Sequence, residues 1–412
     1  MQLYTLSSGL RVLCIHNDRP TVYCGIMMGT GTRHELEHES GMAHLVEHMS
    51  FKGTQRRSAM QIINRMESVG GELNAFTTKQ ETVYYSICLR QHLGRAIDLL
   101  KDIVFHSTYP QEALEREVEV VIDEIDSYKD SPSELIYDDF ESLLFGNHPL
   151  GRSILGDADR LRSYHSSDLQ SFTRRLYTHD RAVLFIMGDV QPKVRGGELK
   201  IDNISLGNLG RSLSPPLPKG MSDERGDCVV GSHILHKSTH QAHILMGTTT
   251  VPLGDERFMG LFLLNNLLGG PGMNSRFNLT LRERRGLVYT VESSLVGYAD
   301  TGVWNVYMGC DQADINKCLH LVRTELNRLL DKPLTERVLR SAVRQLKGQL
   351  AVSHDNFESV AIGTAKRFLY TNDVQTLDSI YASLDAITPE YLYRLAQQFL
   401  DPNRMLTLVY SS

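Results

Sequence analysis

Long apolar runs are missing from this 412-residue chain. None approaches the roughly 18 consecutive apolar residues of a transmembrane helix, so a membrane-spanning role is not expected. A basic excess is missing too. The formal charge is −6, with 43 Lys and Arg against 49 Asp and Glu. That argues against a nucleic-acid or anionic-membrane partner, because either needs a basic face. The start, "MQLYTLSSGLRVLCIH", lacks the basic stretch, apolar block and small-residue cleavage site of a secretory leader. The expected location is cytoplasmic, or periplasmic if a leader has been removed.

Cysteine is scarce and dispersed. Cys14, Cys24, Cys88, Cys228, Cys310 and Cys318 include no CxxC pair. Reduced, mostly buried thiols fit this spacing better than a disulfide framework or a cysteine zinc site. What is present is a soluble globular composition, 41% hydrophobic and 22% charged. The length suits two to three domains with a substantial core, so neither disulfide nor metal is needed merely to fold.

"SLSPPLPKGMSDERGD", Ser212 to Asp227, breaks both helix and strand periods and reads as a linker. It separates an N-terminal domain, 1–211, from a C-terminal domain, 228–412. The two halves echo each other at an offset of about 220 residues. "ETVYYSICLRQHLGRAIDLLKDIV" (Glu81 to Val104) and "TGVWNVYMGCDQADINKCLHLVRTEL" (Thr301 to Leu326) both read as a strand followed by an amphipathic helix. "SSDLQSFTRRLYTHDRAVLFIMGD" (Ser166 to Asp189) and "TPEYLYRLAQQFLDPNRMLTLVYS" (Thr388 to Ser411) both read as a capped helix, a turn and an apolar strand. Strands come in hairpin-like runs and helices in blocks. The expected fold class is therefore α+β, with two homologous domains, each a largely antiparallel sheet with helices on one face. Lys193 to Arg211 is glycine-rich without a clean period and reads as irregular.

The chemistry concentrates in "GMAHLVEHMSFKGT", Gly41 to Thr54. With Ser40 as N-cap, Met42, Leu45, Val46 and Met49 recur at helical spacing and form an apolar face. His44, Glu47 and His48 fall together on another side. Two imidazoles one turn apart can bind one tetrahedral zinc ion, and the glutamate between them can reach its water. The bland alternative is a solvated helix face. The order H-x-x-E-H is a known zinc-hydrolase signature.

A third ligand must come from elsewhere. In "YPQEALEREVEVVIDEIDSYKDSP" (Tyr109 to Pro132), Leu114, Val118, Val121, Ile125 and Tyr128 form one buried helical stripe. Glu115, Glu119, Asp123 and Asp126 face solvent. Glu117 and Glu124 both lie on the stripe's margin, and spacing alone does not choose between them.

HxxEH followed by a glutamate 76 positions after the second histidine resembles the M16 family of zinc metallopeptidases. "GGELNAFTTKQETVYY" (Gly70 to Tyr85), "FGNHPLGRSILG" (Phe145 to Gly156) and "LRERRGLVYTVES" (Leu281 to Ser293) look like further signatures of that family. The resemblance spans nearly the whole chain and is strongest to short prokaryotic members that pair two chains. It implies one Zn2+ per chain held by His44, His48 and Glu124. It implies Glu47 as general base on the zinc-bound water, and Glu117 as a supporting acid that does not ligate. Arg282 and Tyr289 match a pair that binds substrate and stabilises the transition state. Asn74 and Ala75 match strand positions that contact the peptide, which adds to the sheet edge in an enclosed chamber.

The second half reads "FMGLFLLNNLLGG", Phe258 to Gly270, where the zinc set would stand. One half carries the zinc set and the other the Arg–Tyr pair. This implies a homodimer in which Arg282 and Tyr289 complete the site in trans. The rival expectation is a non-catalytic or partner-dependent subunit of a processing-peptidase-like heterodimer. Retention of the ligands, the base and the Arg–Tyr pair favours the peptidase. "HILHKSTHQAH", with His233, His236, His240 and His243, reads as strand, turn, strand without a carboxylate, so a second metal site is not expected. His34 and His38 read as polar loop or pocket-lining residues.

Overall fold

The protein is described from a computed structural model at residues 1–210, 230–237 and 239–412. The whole of the expected linker, Ser212 to Asp227, and Cys228 lie outside the described residues. The strands are β1 (Gln2–Thr5), β2 (Arg11–His16), β3 (Thr21–Met28), β4 (Glu72–Thr77), β5 (Thr82–Leu89), β6 (Ala182–Gly188), β7 (Pro192–Arg195), β8 (Glu198–Ile201), β9 (Ile204–Asn208), β10 (Gly231–His236), β11 (Ala242–Thr250), β12 (Val288–Gly297), β13 (Gly302–Cys310) and β14 (Leu406–Ser411). The helices are α1 (Met42–Met49), α2 (Ala59–Glu67), α3 (Leu93–Phe105), α4 (Gln111–Lys129), α5 (Pro132–Phe145), α6 (Ala158–Arg162), α7 (Ser166–Leu176), α8 (Phe258–Gly269), α9 (Ile315–Asp331), α10 (Glu336–Ser353), α11 (Phe357–Thr371), α12 (Leu377–Asp385) and α13 (Pro389–Phe399).

The chain forms two compact units. The first holds Met1–Ser127, residues 152–210 and Asn356–Val374. Its six-stranded sheet has the order β1-β2-β6-β3-β5-β4. Only β2 and β6 run parallel; the other pairs are antiparallel. β6, "AVLFIMG", is buried along its whole length. Such a continuous apolar run suits a central strand covered on both faces. On one face, Val22, Cys24, Ile26 and Met28 of β3 pack with Leu45 of α1, Leu99 and Ile103 of α3 and Val118 of α4. On the other lies α11. The Arg11 guanidinium donates to the Phe368 and Leu369 carbonyls at 3.2 and 3.1 Å, tying the end of α11 to β2.

The second unit holds Tyr128–Gly151, the described residues from 230 to Asp355, and Gln375–Ser412. Its sheet has the order β10-β14-β11-β13-β12, again with one parallel pair, β10 with β14. α8, α9, α10 and α13 cover one face. α5 covers the other, with Ile136, Phe140 and Leu144 against Leu245, Val303 and Leu408.

The matched segments of the sequence fall on matched elements: β5–α3 with β13–α9, and α7–β6 with α13–β14. The mixed α+β class with two similar sheets is as expected. The expected boundary near Ser212 omits one feature. α5 belongs to the second unit and α11 to the first, so each sheet's second face is closed by a helix from the other half of the chain. Periodicity reports that a helix has an apolar stripe, and does not report which sheet receives it.

Lys193 to Arg211 is not irregular where it is described. β7, β8 and β9 form a small antiparallel meander. Its turns sit at Gly196–Gly197 and at Asp202, all with positive φ. Strands of four or five residues are too short to show a period, and the glycines belong to the turns. Cys14, Cys24, Cys88, Cys310 and Cys318 are buried free thiols. No helix among the described residues is long and apolar enough to cross a membrane.

Candidate metal centre

The centre begins with α1, which is buried on nearly every side. Met42, Leu45, Val46 and Met49 enter the core as expected. His44 and Glu47 are buried too, at 7% and 8% exposure, so the polar side of α1 is not a solvated face. The helix starts differently from expectation. Gly41, not Ser40, is the cap residue, with φ +78°. Its N–H and that of Ala43 donate to the Glu35 carboxylate at 3.2 and 2.9 Å. A Cβ on Gly41 would meet the Leu155 carbonyl at 2.7 Å. The Arg152 guanidinium donates to the Glu35 carbonyl. The segment from Arg152 to Gly156 thus fixes where α1 begins. Sequence reading missed Glu35, because a cap donated from six residues upstream has no fixed spacing.

α4 supplies the carboxylates. Glu124 Oε2 lies 3.6 Å from His48 Nε2 and 3.9 Å from His44 Nε2. One ligating atom from each of His44, His48 and Glu124 lies within 4.8 Å of the others. The imidazole rings stand 4.6 Å apart at 67°, so both edges can face one point. Glu117 plays a different part. Its Oε1 lies 3.0 Å from His48 Nδ1, and its Oε2 lies 2.6 Å from Lys52 Nζ. The structure therefore separates the two glutamates that spacing left open: Glu124 joins the histidine Nε2 atoms, and Glu117 stands behind His48. Lys52, four residues after His48, was not singled out in the sequence. The i, i+4 spacing was the available signal.

The electrostatics follow from burial. Burial and the neighbouring His48 depress the His44 pKa to about 3, leaving a neutral ring with a free lone pair. Burial opposes charge on His48, but the hydrogen bond to Glu117 and the nearby Glu47 carboxylate raise its pKa. Burial raises the Glu47 pKa against the Thr77 hydroxyl, which donates to Glu47 Oε2 at 2.5 Å. Glu117 is held below the usual carboxylate range, its bonds to His48 and Lys52 outweighing burial. Two imidazole nitrogens and one carboxylate oxygen are a zinc-type donor set. His48 has the carboxylate partner behind it that orients metal-binding histidines. The residues present fit a zinc ion.

Asn74 and Ala75 lie on β4, the edge strand of the first sheet, paired on one side only with Tyr85 and Tyr84. Arg282 and Tyr289 belong to the second unit. Arg282 sits in a π-helical turn, Asn278–Glu283, and Tyr289 on β12. Both line a cleft of about 500 Å³ with Asn265 and Asn266 of α8. Tyr289 is 59% exposed, and its hydroxyl donates to Asp311 at 3.3 Å. Asn265 accepts from the Trp304 indole at 3.0 Å, a structural bond where the first unit has chemistry. His243 meets the Tyr307 hydroxyl at 2.8 Å and His236 meets Ser411, on strands as read. Among the described residues, His44, His48 and Glu124 are the group placed to hold a metal.

Residues 11–158 match the family model described as insulinase, peptidase family M16, and residues 165–346 match the peptidase M16 inactive domain. The chain is 32% identical over 408 residues to the uncharacterised zinc protease YmxG of Bacillus subtilis, covering 98% of this chain and 97% of that protein. It belongs to peptidase family M16. This M16 chain is also 29% identical to the mitochondrial-processing peptidase subunit beta of Mus musculus, over 97% of its own length and 82% of that protein. A solved protease from Helicobacter pylori shares its fold at a TM-score of 0.85 and 21% identity, covering 100% of this chain and 99% of that one. A Pseudomonas fluorescens structure described as a peptidase M16 inactive domain does so at 0.84 and 19%, covering 99% and 97%. At the level of the family, the M16 chain is a zinc protease.

Proposed function

We propose that the chain is a zinc-dependent endopeptidase acting on peptides or unfolded segments. The convergence of His44, His48 and Glu124, with Glu47 beside them, carries this reading. When bound, zinc supplies the Lewis acidity that makes water nucleophilic near neutral pH and polarises a carbonyl. His44, His48 and Glu124 would hold it. Glu117 keeps the His48 ring in register through Nδ1. Glu47 takes a proton from the attacking water and passes it to the leaving amine nitrogen.

The peptide adds as a further strand on β4, beside Asn74 and Ala75. Only an extended chain can do this, which favours unfolded segments over folded proteins. Arg282 and Tyr289 bind substrate carbonyls and stabilise the developing oxyanion. A second copy of the chain supplies them, making the working form a homodimer. In support, the Arg282 side chain is exposed and makes no ion pair or hydrogen bond among the described residues.

The test is mass spectrometry of products from mixed unstructured peptides, with wild type and Glu47→Gln side by side. Cleavage by wild type alone supports the reading. Cleavage by neither makes a partner-dependent or non-catalytic subunit the better account. Equal cleavage by both removes Glu47 as the base.

A further inference from the structure

Glu47 has two carboxylate oxygens in different surroundings. Oε2 accepts the Thr77 hydroxyl at 2.5 Å. Oε1 makes no hydrogen bond among the described residues. Thr77 is the last residue of β4, the strand with a free edge. Directly opposite in register stands Thr82 of β5, fully buried. The two hydroxyl oxygens are 3.3 Å apart, and the Thr82 hydroxyl donates to the Thr30 carbonyl at 3.0 Å. A hydroxyl has one proton. That of Thr82 goes to the Thr30 carbonyl, and that of Thr77 goes to Glu47 Oε2, a carboxylate oxygen and the nearer of its two acceptors. The Thr77 side chain is thus braced from behind by the sheet and aimed at α1.

We propose that Thr77 is a positioning residue for the base. It pins Glu47 Oε2 and so assigns proton transfer to Oε1. It also joins the β4 edge to the base. A peptide strand added along Glu72–Thr77 stiffens the strand that holds Thr77, so filling the edge and aligning Glu47 become one event. An extended substrate that pairs with β4 as far as Thr77 is then cut faster than one that pairs with less of it. This rests on the peptidase reading above, but the Thr77–Glu47 contact itself can be tested without it.

The test compares Thr77→Val, which keeps the shape and removes the hydroxyl, with Thr77→Ser, which keeps the hydroxyl. Zinc content, thermal midpoint, peptide kinetics and crystal structures are measured for both and for wild type. Thr77→Val should lose on the order of 10- to 100-fold in kcat, the scale of a misplaced catalytic group, with KM within about threefold. Zinc content and thermal midpoint should match wild type. The Glu47 carboxylate should leave its position in Thr77→Val and keep it in Thr77→Ser, which should recover at least about a third of kcat. A Thr77→Val kcat within about twofold of wild type, an unmoved Glu47, or a Thr77→Ser as slow as Thr77→Val would each overturn the proposal. If wild type cleaves no peptide, the peptidase reading falls. The Glu47 position in the two variants then still decides whether Thr77 holds it.

Discussion

Glu117 Oε1 lies 3.0 Å from His48 Nδ1, on the side of the ring away from Glu124. This fixes the tautomer. Nδ1–H donates to Glu117, and Nε2 keeps its lone pair for a metal. Glu117 is itself clamped by Lys52 at 2.6 Å.

Removing this support should weaken zinc binding without abolishing it. Glu117→Ala is expected to lower zinc affinity by about 10- to 100-fold, measured by competition with a chromogenic chelator. Glu124→Ala should do worse, because it removes a ligand. A Glu117→Ala affinity equal to wild type would mean that the His48 ring is held by packing alone.

Stability should respond to pH through Glu35. Burial pushes its pKa up to about 8, against the N–H donors of Ala43 and Gly41 and the nearby Arg152. The folded state therefore binds this proton more tightly than the unfolded chain, whose carboxyl titrates near its ordinary value of about 4.3. The contribution is complete below that value. It is lost as pH rises through about 8. Urea midpoints of wild type should fall over that window, and Glu35→Gln should flatten the slope. Parallel slopes would remove Glu35 as the source.

Backbone packing at the start of α1 gives a third expectation. A Cβ on Gly156, itself at φ +80°, would lie 2.5 Å from Gly41 Cα. Gly156→Ala combines left-handed strain with a backbone collision and should cost about 2–4 kcal/mol, read from chemical denaturation. Gly196→Ala is the control. That glycine has φ +59°, with no heavy atom within 4 Å of its added Cβ, so it should pay strain alone. Equal costs would show that the Gly41–Gly156 approach relaxes freely.

Trans completion predicts rescue between two inactive proteins. Glu47→Gln and Arg282→Ala homodimers should both be nearly inactive. Mixed dimers contain one site with Glu47 and Arg282 intact, so up to about half of the wild-type rate per mixed dimer should return. No recovery after verified subunit exchange would count against a shared site.

Much of this protein is legible before folding. His44, Glu47 and His48 sit within one turn of a helix, and local spacing alone places them on one side. The repeated order of strands and helices follows from periodicity within each segment. The resemblance to M16 proteins added Glu124, and the structure brings that residue to the histidines. Other features are silent in the sequence because they join residues far apart. Glu117 and Glu124 have the same rim position on α4, and only the meeting of α4 with α1 decides that one faces Nε2 and the other Nδ1. The Glu35 cap, the Thr77 bond to Glu47 and the exchange of α5 and α11 between units are likewise set by tertiary packing. Pattern reports a side chain's place on its own element. Which partner it meets depends on how two elements pack, and the burial of apolar faces decides that.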